Sequence, residues 1–517
     1  MVAKGFWRRA QEDPSWIAVV DPDGTEHSAG DLLGRANQLT HALRARGLQP
    51  GDGIASLLPN GAAAVELYLA ALQAGWYLTP INWHFTAPEA AYIAADCGAR
   101  AFFVHERFAQ LGIDTAHQAD IPAEARFSFG AVPGFTSVAE LRAGQPETLP
   151  DDRTAGTTMH YTSGTTGRPK GVRRGLTGLD PDDAAALLGG GLLGMFGVID
   201  GQPNAHLVSS PNYHTAVTTF GGAALHLGHT LVCMEGFDAE TALALTERYR
   251  CTGSHMVPTH FKRMLSLPDE TKAKYDLSSM RWLIHAAAPC PIGIKQEMLD
   301  WWGPCVWEYY AATEGGGTIA SPQDWLAHPG TVGLPWPTSE LLIADEDGHA
   351  QPTGTPGTIY MKMGLMEFEY YGDKAKTEAN RLYGYFTVGD IGYLTEDGFL
   401  YLCDRKSDMI ISGGANIYPA EIEAEIIMNP KVADVAVFGI PDEEWGEQIK
   451  AVVQPAAGVE PGEALAADIL GGLAGRLAKM KWPKSIDFVA ELPRDPSGKL
   501  LKRRLRDPYW AGQVTNI

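Results

Sequence analysis

Between residues 205 and 310, short apolar runs alternate with stretches of helical periodicity, and this alternation restricts the possible folds more than any other feature of the chain. Expected strands cover 205–209, 230–234, 253–257, 282–285 and 306–310; expected helices cover 216–227, 239–249, 259–267 and 292–302. A parallel neighbour can be reached only by a crossover, for which a helix is the usual solution. Successive units of this kind predict a doubly wound α/β sheet, with ligands beyond the carboxyl ends of its strands. An earlier series predicts further crossovers: a hairpin from residue 17 through DPDG, helix 29–45, strand 54–58, helix 62–74 and strand 76–80. From 331 the texture changes to short strands punctuated by Gly, Pro and Asp, a β-rich subdomain ending near 404. A compact α+β module follows, with helix 419–428, strands 432–439 and 448–453, helix 462–479, strand 486–489 and a basic tail. The expected organisation is a large N-terminal domain, 1–404, a junction at 405–408, and a small C-terminal domain, 409–517.

Residues 161–171 read YTSGTTGRPKG, a mixture too polar and too flexible for a core strand or helix interior. The preceding TTMHYT, 157–162, is β-branched and aromatic, so the loop leaves a sheet edge where NH groups and hydroxyls converge. Thr162, Ser163, Thr165 and Thr166 offer hydrogen-bond donors, Gly164 and Gly167 permit close backbone approach, and Lys170 adds a cation. That is a phosphate cradle, although it is not GxxxxGK[ST], because Pro169 and Gly171 stand where that motif needs Gly and Ser or Thr. The alternative is an ordinary polar surface loop. A second glycine pattern, Gly189-x-Gly191-x-x-Gly194, fits GxGxxG but follows an acidic, alanine-rich helical stretch instead of a strand. A tightly packed helix over 183–197 is the better reading.

At 517 residues with a net charge of −21, the chain has ample material for large cores and disfavours nucleic acid or a strongly anionic membrane as partner. A site for phosphate groups must therefore gather local cations and NH dipoles against the overall field. The six cysteines show no metal-ligand spacing and read as reduced thiols. With no signal-like segment at the start and no long apolar run, the expected location is the cytoplasm.

The 161–171 stretch resembles the phosphate-binding signature of the adenylate-forming superfamily, which includes acyl-CoA synthetases, peptide-synthetase adenylation domains and luciferase-like enzymes. Further matches follow in order along nearly the whole chain. YYAATEGG, 309–316, is similar to the family's YGxTE segment, with Ala311 in place of the usual glycine. The resemblance assigns adenine stacking to Tyr310, a catalytic position to Thr313, and a magnesium ion bridging the ATP phosphates to Glu314. His214, in PNYHT, corresponds to a histidine beside the bound carboxylate; a satisfied structural histidine is the alternative. Ala287, Ala288 and Pro289 match an adenine-side turn in which glycines are common. Asp390 and Arg405 match the ribose contacts, and Arg405-Lys406-Ser407-Asp408 a hinge, with Ser407 where Asp or Lys is usual. Gly413 and Gly414 match a loop that lines a thiol channel, with Trp445 a candidate to face CoA; Lys499, in PRDPSGK, matches the lysine that grips carboxylate and α-phosphate during adenylation.

The resemblance implies an ATP-, magnesium- and CoA-dependent acyl-CoA synthetase whose small-molecule substrate is an apolar carboxylic acid of fatty or bulky alicyclic or aryl type. Two readings stay open beside it: the same adenylate passed to an amine or carrier protein, and a nucleotide-binding protein without catalysis.

Overall fold

The computed structural model describes residues 4–162, 169–199, 201–364, 368–494 and 500–511. Its architecture is α/β, with a large N-terminal part and a smaller C-terminal part. Two sheets dominate the former. In one, strands Ala205–Val208, Thr230–Cys233, Gly253–Met256, Trp282–His285 and Val306–Ala312 pair parallel, as the crossover units imply, with Ala205–Val208 between Thr230–Cys233 and Gly253–Met256. Ile17–Val20 joins this nine-stranded sheet beside Thr230–Cys233. The second, six-stranded sheet centres on Gly53–Leu57, Tyr77–Pro80 and Ala99–His105, all parallel.

The inner faces of both sheets contribute to one apolar core. Ile54, Phe103 and Phe127 come from one sheet and Val19, Val208 and Ile284 from the other, with helices Ala29–Ala45, Ala62–Leu72 and Thr215–His226 between them. Strands buried on both faces read as continuous apolar runs, which is why they were visible in the sequence. Ser28 caps the first of these helices by accepting from the Asp31 amide, and Gly75, at φ +76°, lets the chain turn after the second.

The β-rich segment forms an antiparallel sheet around Gly357–Met363, Asp390–Leu394 and Leu400–Arg405. It also gives up one strand, Phe368–Tyr370, which pairs with Lys170–Arg174. That pairing ties the cradle hairpin to residues nearly two hundred positions later. In the C-terminal part, the long antiparallel pair Val432–Asp442 and Gly446–Pro455 carries helix Pro419–Ile426.

Three local expectations are corrected. Strand 306–310 extends to Ala312 and turns directly into Gly315–Ala320, because Gly315 and Gly316 adopt φ +119° and +73° and a Cβ at Gly317 would sit 2.3 Å from the Tyr310 carbonyl. The helix expected over 462–479 ends at Gly472, where consecutive glycines at 471 and 472 weaken it. The basic tail includes a helix, Lys502–Trp510, that contains Pro508.

Candidate active site

The carboxyl ends of the parallel strands open into a connected cavity of about 3330 Å³, lined by both parts of the chain. Thr162, Lys170, His214, Ala287, Ala288, Pro289, Tyr310, Thr313, Glu314, Asp390 and Arg405 all border it. Ser163, Gly164, Thr165, Thr166, Gly167 and Lys499 lie outside the described residues. Gly413 and Gly414 are not brought to the cavity.

The cradle hairpin sets Thr162 opposite Lys170 in antiparallel register. Lys170 pairs with Asp373 at 2.5 Å, and this hydrogen bond raises its pKa. Tyr161 donates to Asp96 Oδ2 at 2.6 Å, which holds the strand before the loop against helix Ala87–Asp96. Arg174, on the returning strand, donates to the Thr313 carbonyl, and burial lowers its pKa against the attraction of Glu314. Arg174, Tyr370 and Asp373 were not singled out in the sequence. Their partners stand far away along the chain, and only the paired arginines after the loop, Arg173 and Arg174, hinted at one of them.

Thr313 and Glu314 occupy the tip of the hairpin formed by Val306–Ala312 and Gly315–Ala320. The Thr313 hydroxyl lies 3.4 Å from that of Thr215, at the start of the helix that His214 immediately precedes. Glu314 is buried, and the Tyr370 hydroxyl donates to its Oε1 at 2.7 Å. The carboxylate is thus oriented while retaining acceptor capacity, and its hard oxygen would suit a magnesium ion.

Tyr310 donates its hydroxyl to Asp390 Oδ2 at 2.8 Å; burial and the Asp390 charge push its pKa well above the usual tyrosine value. Asp390 faces Arg405 across an antiparallel pair, with Arg405 Nε 3.4 Å from Asp390 Oδ1. The backbone pairing of the two strands thus sets Asp390 beside Arg405, and the Tyr310 hydroxyl reaches Asp390 from a strand of the nine-stranded sheet. Ala287 has φ +76°, a left-handed conformation unfavourable for a residue with a Cβ, at a position where the resemblance expects glycine.

The residues flanking 495–499 are well anchored. Arg494 and Leu500 form an antiparallel bridge, both border the cavity, and Arg494 binds Asp434 through two contacts of 2.5 and 2.7 Å. Gly413 and Gly414 have φ +58° and +78°, and Trp445 packs against Gly413.

A large crossover domain and a small α+β partner thus share one cleft. The chain belongs to the AMP-binding enzyme family, whose family model matches residues 6–371, with the AMP-binding enzyme C-terminal domain matching 421–499. It is 32% identical to a fatty acid–[acyl-carrier-protein] ligase, ScoC, from Streptomyces coeruleorubidus, over 98% of this chain and 96% of that protein. It is 33% identical to a feruloyl-CoA synthase from an Amycolatopsis species, over 97% of this chain and 98% of that one. Among solved structures, ATP-bound MatB from Rhodopseudomonas palustris superposes with a TM-score of 0.81 at 30% identity, covering 99% of each chain. Among the described residues no helix is long and apolar enough to cross a membrane.

Proposed function

We propose that the protein is an AMP-forming acyl-CoA synthetase that activates an apolar carboxylic acid with ATP and transfers the acyl group to CoA. The observation that carries this reading is the convergence on one cleft of Thr162, Lys170, His214, Tyr310, Thr313, Glu314, Asp390 and Arg405, residues drawn from separate segments of the chain.

The chemical difficulty is that a carboxylate is a poor electrophile and repels a triphosphate. Asp390 accepts from the ribose hydroxyls while Arg405 holds it in place, and Tyr310 with the turn at Ala287, Ala288 and Pro289 positions the base. The 162–167 hydroxyls and amides bind the phosphates. A magnesium ion at Glu314, when bound, neutralises phosphate charge. His214 sits beside the incoming carboxylate, and Lys499 bridges it to the α-phosphate. Holding the two anions in line makes attack at phosphorus effectively intramolecular. The carboxylate oxygen forms a bond to the α-phosphorus, the bond to the bridging oxygen breaks, and pyrophosphate leaves. The CoA thiol, losing its proton, then attacks the acyl carbon and expels AMP. In this scheme the small domain, from 409, turns about 405–408, withdraws Lys499 and brings Gly413 and Gly414 to the site.

The feruloyl-CoA synthase relative favours CoA as acceptor, and the carrier-protein ligase keeps the alternative acceptor in view. Pyrophosphate release across a panel of fatty, alicyclic and aryl acids, measured with and without CoA, tests the proposal. Acid-dependent release with thioester as product is expected. Amide or acyl-carrier product without thioester would overturn the choice of acceptor, and no acid-dependent release would overturn the assignment of catalysis.

A further inference from the structure

The cavity contains a polar pair to which the scheme above gives no task. His255 Nε2 lies 3.0 Å from the Tyr309 hydroxyl, and both residues border the cavity. His255 is 4% exposed, and its Nδ1 is buried without a hydrogen-bond partner among the described residues. His226, which also borders the cavity, differs: the Phe6 amide donates to its Nδ1, and its Nε2 meets the Tyr68 hydroxyl.

The surroundings of the pair are aromatic. Phe220 stacks on His255 at 5.1 Å between ring centroids and leans on Tyr309 at 5.3 Å, with Phe196 behind it at 5.6 Å. Burial lowers the His255 pKa to about 3, so the ring is neutral. Burial also raises the Tyr309 pKa, so its hydroxyl keeps its proton. A neutral imidazole has one N–H and a phenol one O–H. Their mutual bond uses one of the two whichever tautomer is present, and one donor is left over. An unused donor in an aromatic enclosure costs free energy until a ligand acceptor reaches it.

Helix geometry supplies the reach. His214 immediately precedes helix Thr215–His226, and Phe220, which covers His255, lies on that same helix. Six residues at the α-helical rise put them roughly 9 Å apart along the axis. That is the scale of a ring with a short side chain.

We propose that His255 and Tyr309 together read an oxygen at the far end of the acyl group. The preferred substrate is then a cyclic carboxylic acid that carries a hydroxyl or ketone remote from its carboxylate. The inference rests on the reading of this cavity as the acyl site.

The test compares matched acids, 4-hydroxycinnamate with cinnamate and 4-hydroxycyclohexanepropanoate with cyclohexanepropanoate, by kcat/KM for pyrophosphate release. A site built around a donor should favour the hydroxylated member of at least one pair by about tenfold or more. The double variant His255→Leu/Tyr309→Phe removes both donors and should bring that ratio below about threefold. Tyr309→Phe alone preserves the ring's volume but no longer fixes the histidine tautomer. It should lower the ratio at least about threefold, and it decides the matter if the double variant does not fold. Equal use of both members, or a preference that survives these substitutions, overturns the proposal while leaving acid activation standing. If no acid releases pyrophosphate, the activation reading fails, and calorimetric binding of the same acids in the presence of AMP decides. Tighter binding of the hydroxylated member upholds the pair's role, and equal or undetectable binding of both overturns it.

Discussion

At Ala287 the backbone adopts φ +76°, where a Cβ crowds the following carbonyl. Relief of that strain, offset by glycine's larger loss of freedom on folding, gives Ala287→Gly an expected gain of about 0.5–1 kcal/mol. Thermal or urea unfolding should show a raised midpoint; a lowered one would mean that the Ala287 methyl is needed for packing. Glu314 presents a different case, since its value is chemical. Glu314→Gln retains shape and the acceptor for Tyr370 but loses the charge proposed to hold magnesium. The magnesium concentration for half-maximal pyrophosphate release should rise roughly tenfold or more. An unchanged magnesium dependence would remove Glu314 from the metal site. Single residues were legible in the sequence where they sit in contiguous motifs, as Glu314 and Asp390 do. Arg174, Tyr370 and Asp373 were not, because their partners are brought close only by the pairing of Lys170–Arg174 with Phe368–Tyr370.

Helix Pro181–Gly194 shows what a run of glycines can and cannot reveal. The sequence suggested close packing along the whole stretch, but among the described residues a neighbour approaches only Gly189, where an added Cβ would lie 3.2 Å from the Ala223 carbonyl and from Leu227. Gly190, Gly191 and Gly194 have no described neighbour within 4 Å of an added Cβ, and Gly191 borders the cavity. Glycine in a helix interior costs stability relative to alanine, so Gly190→Ala should stabilise the protein by about 0.5–1 kcal/mol. Gly189→Ala should gain less or lose stability, as the facing helix must give way. Equal gains at both positions in chemical unfolding would refute the packing distinction. The strands and crossover helices were legible for a simpler reason: burial on both faces makes each strand a continuous apolar run. The terminal helix Lys502–Trp510 was obscured because its charge and Pro508 resemble a solvated tail, whereas Lys502 in fact bonds Glu423 at 2.8 Å.

For the whole molecule, the question is how one cleft would perform the two reactions of the proposed scheme. Strand Leu400–Arg405 ends at the proposed pivot; within that strand Asp404 accepts from the Ala420 amide at 2.8 Å, and at the pivot Arg506 donates to the Ser407 carbonyl at 3.1 Å. These contacts hold the small part with the bridged flanks of 495–499 at the cavity and Gly413 and Gly414 away from it, the arrangement that suits adenylation in the proposed scheme. Lys499 would then serve the first reaction and be absent from the second. Lys499→Ala should lower acid-dependent pyrophosphate release by roughly 100- to 1000-fold, the scale seen when one preorganised donor to a developing charge is removed. Thioester formation from supplied acyl-AMP and CoA should change by less than about tenfold, because no interaction specific to that transition state has been lost. Single-turnover measurement of each half-reaction separates the two effects. Comparable losses in both would show that Lys499 stays at the site throughout, and the rotation at 405–408 would have to be abandoned.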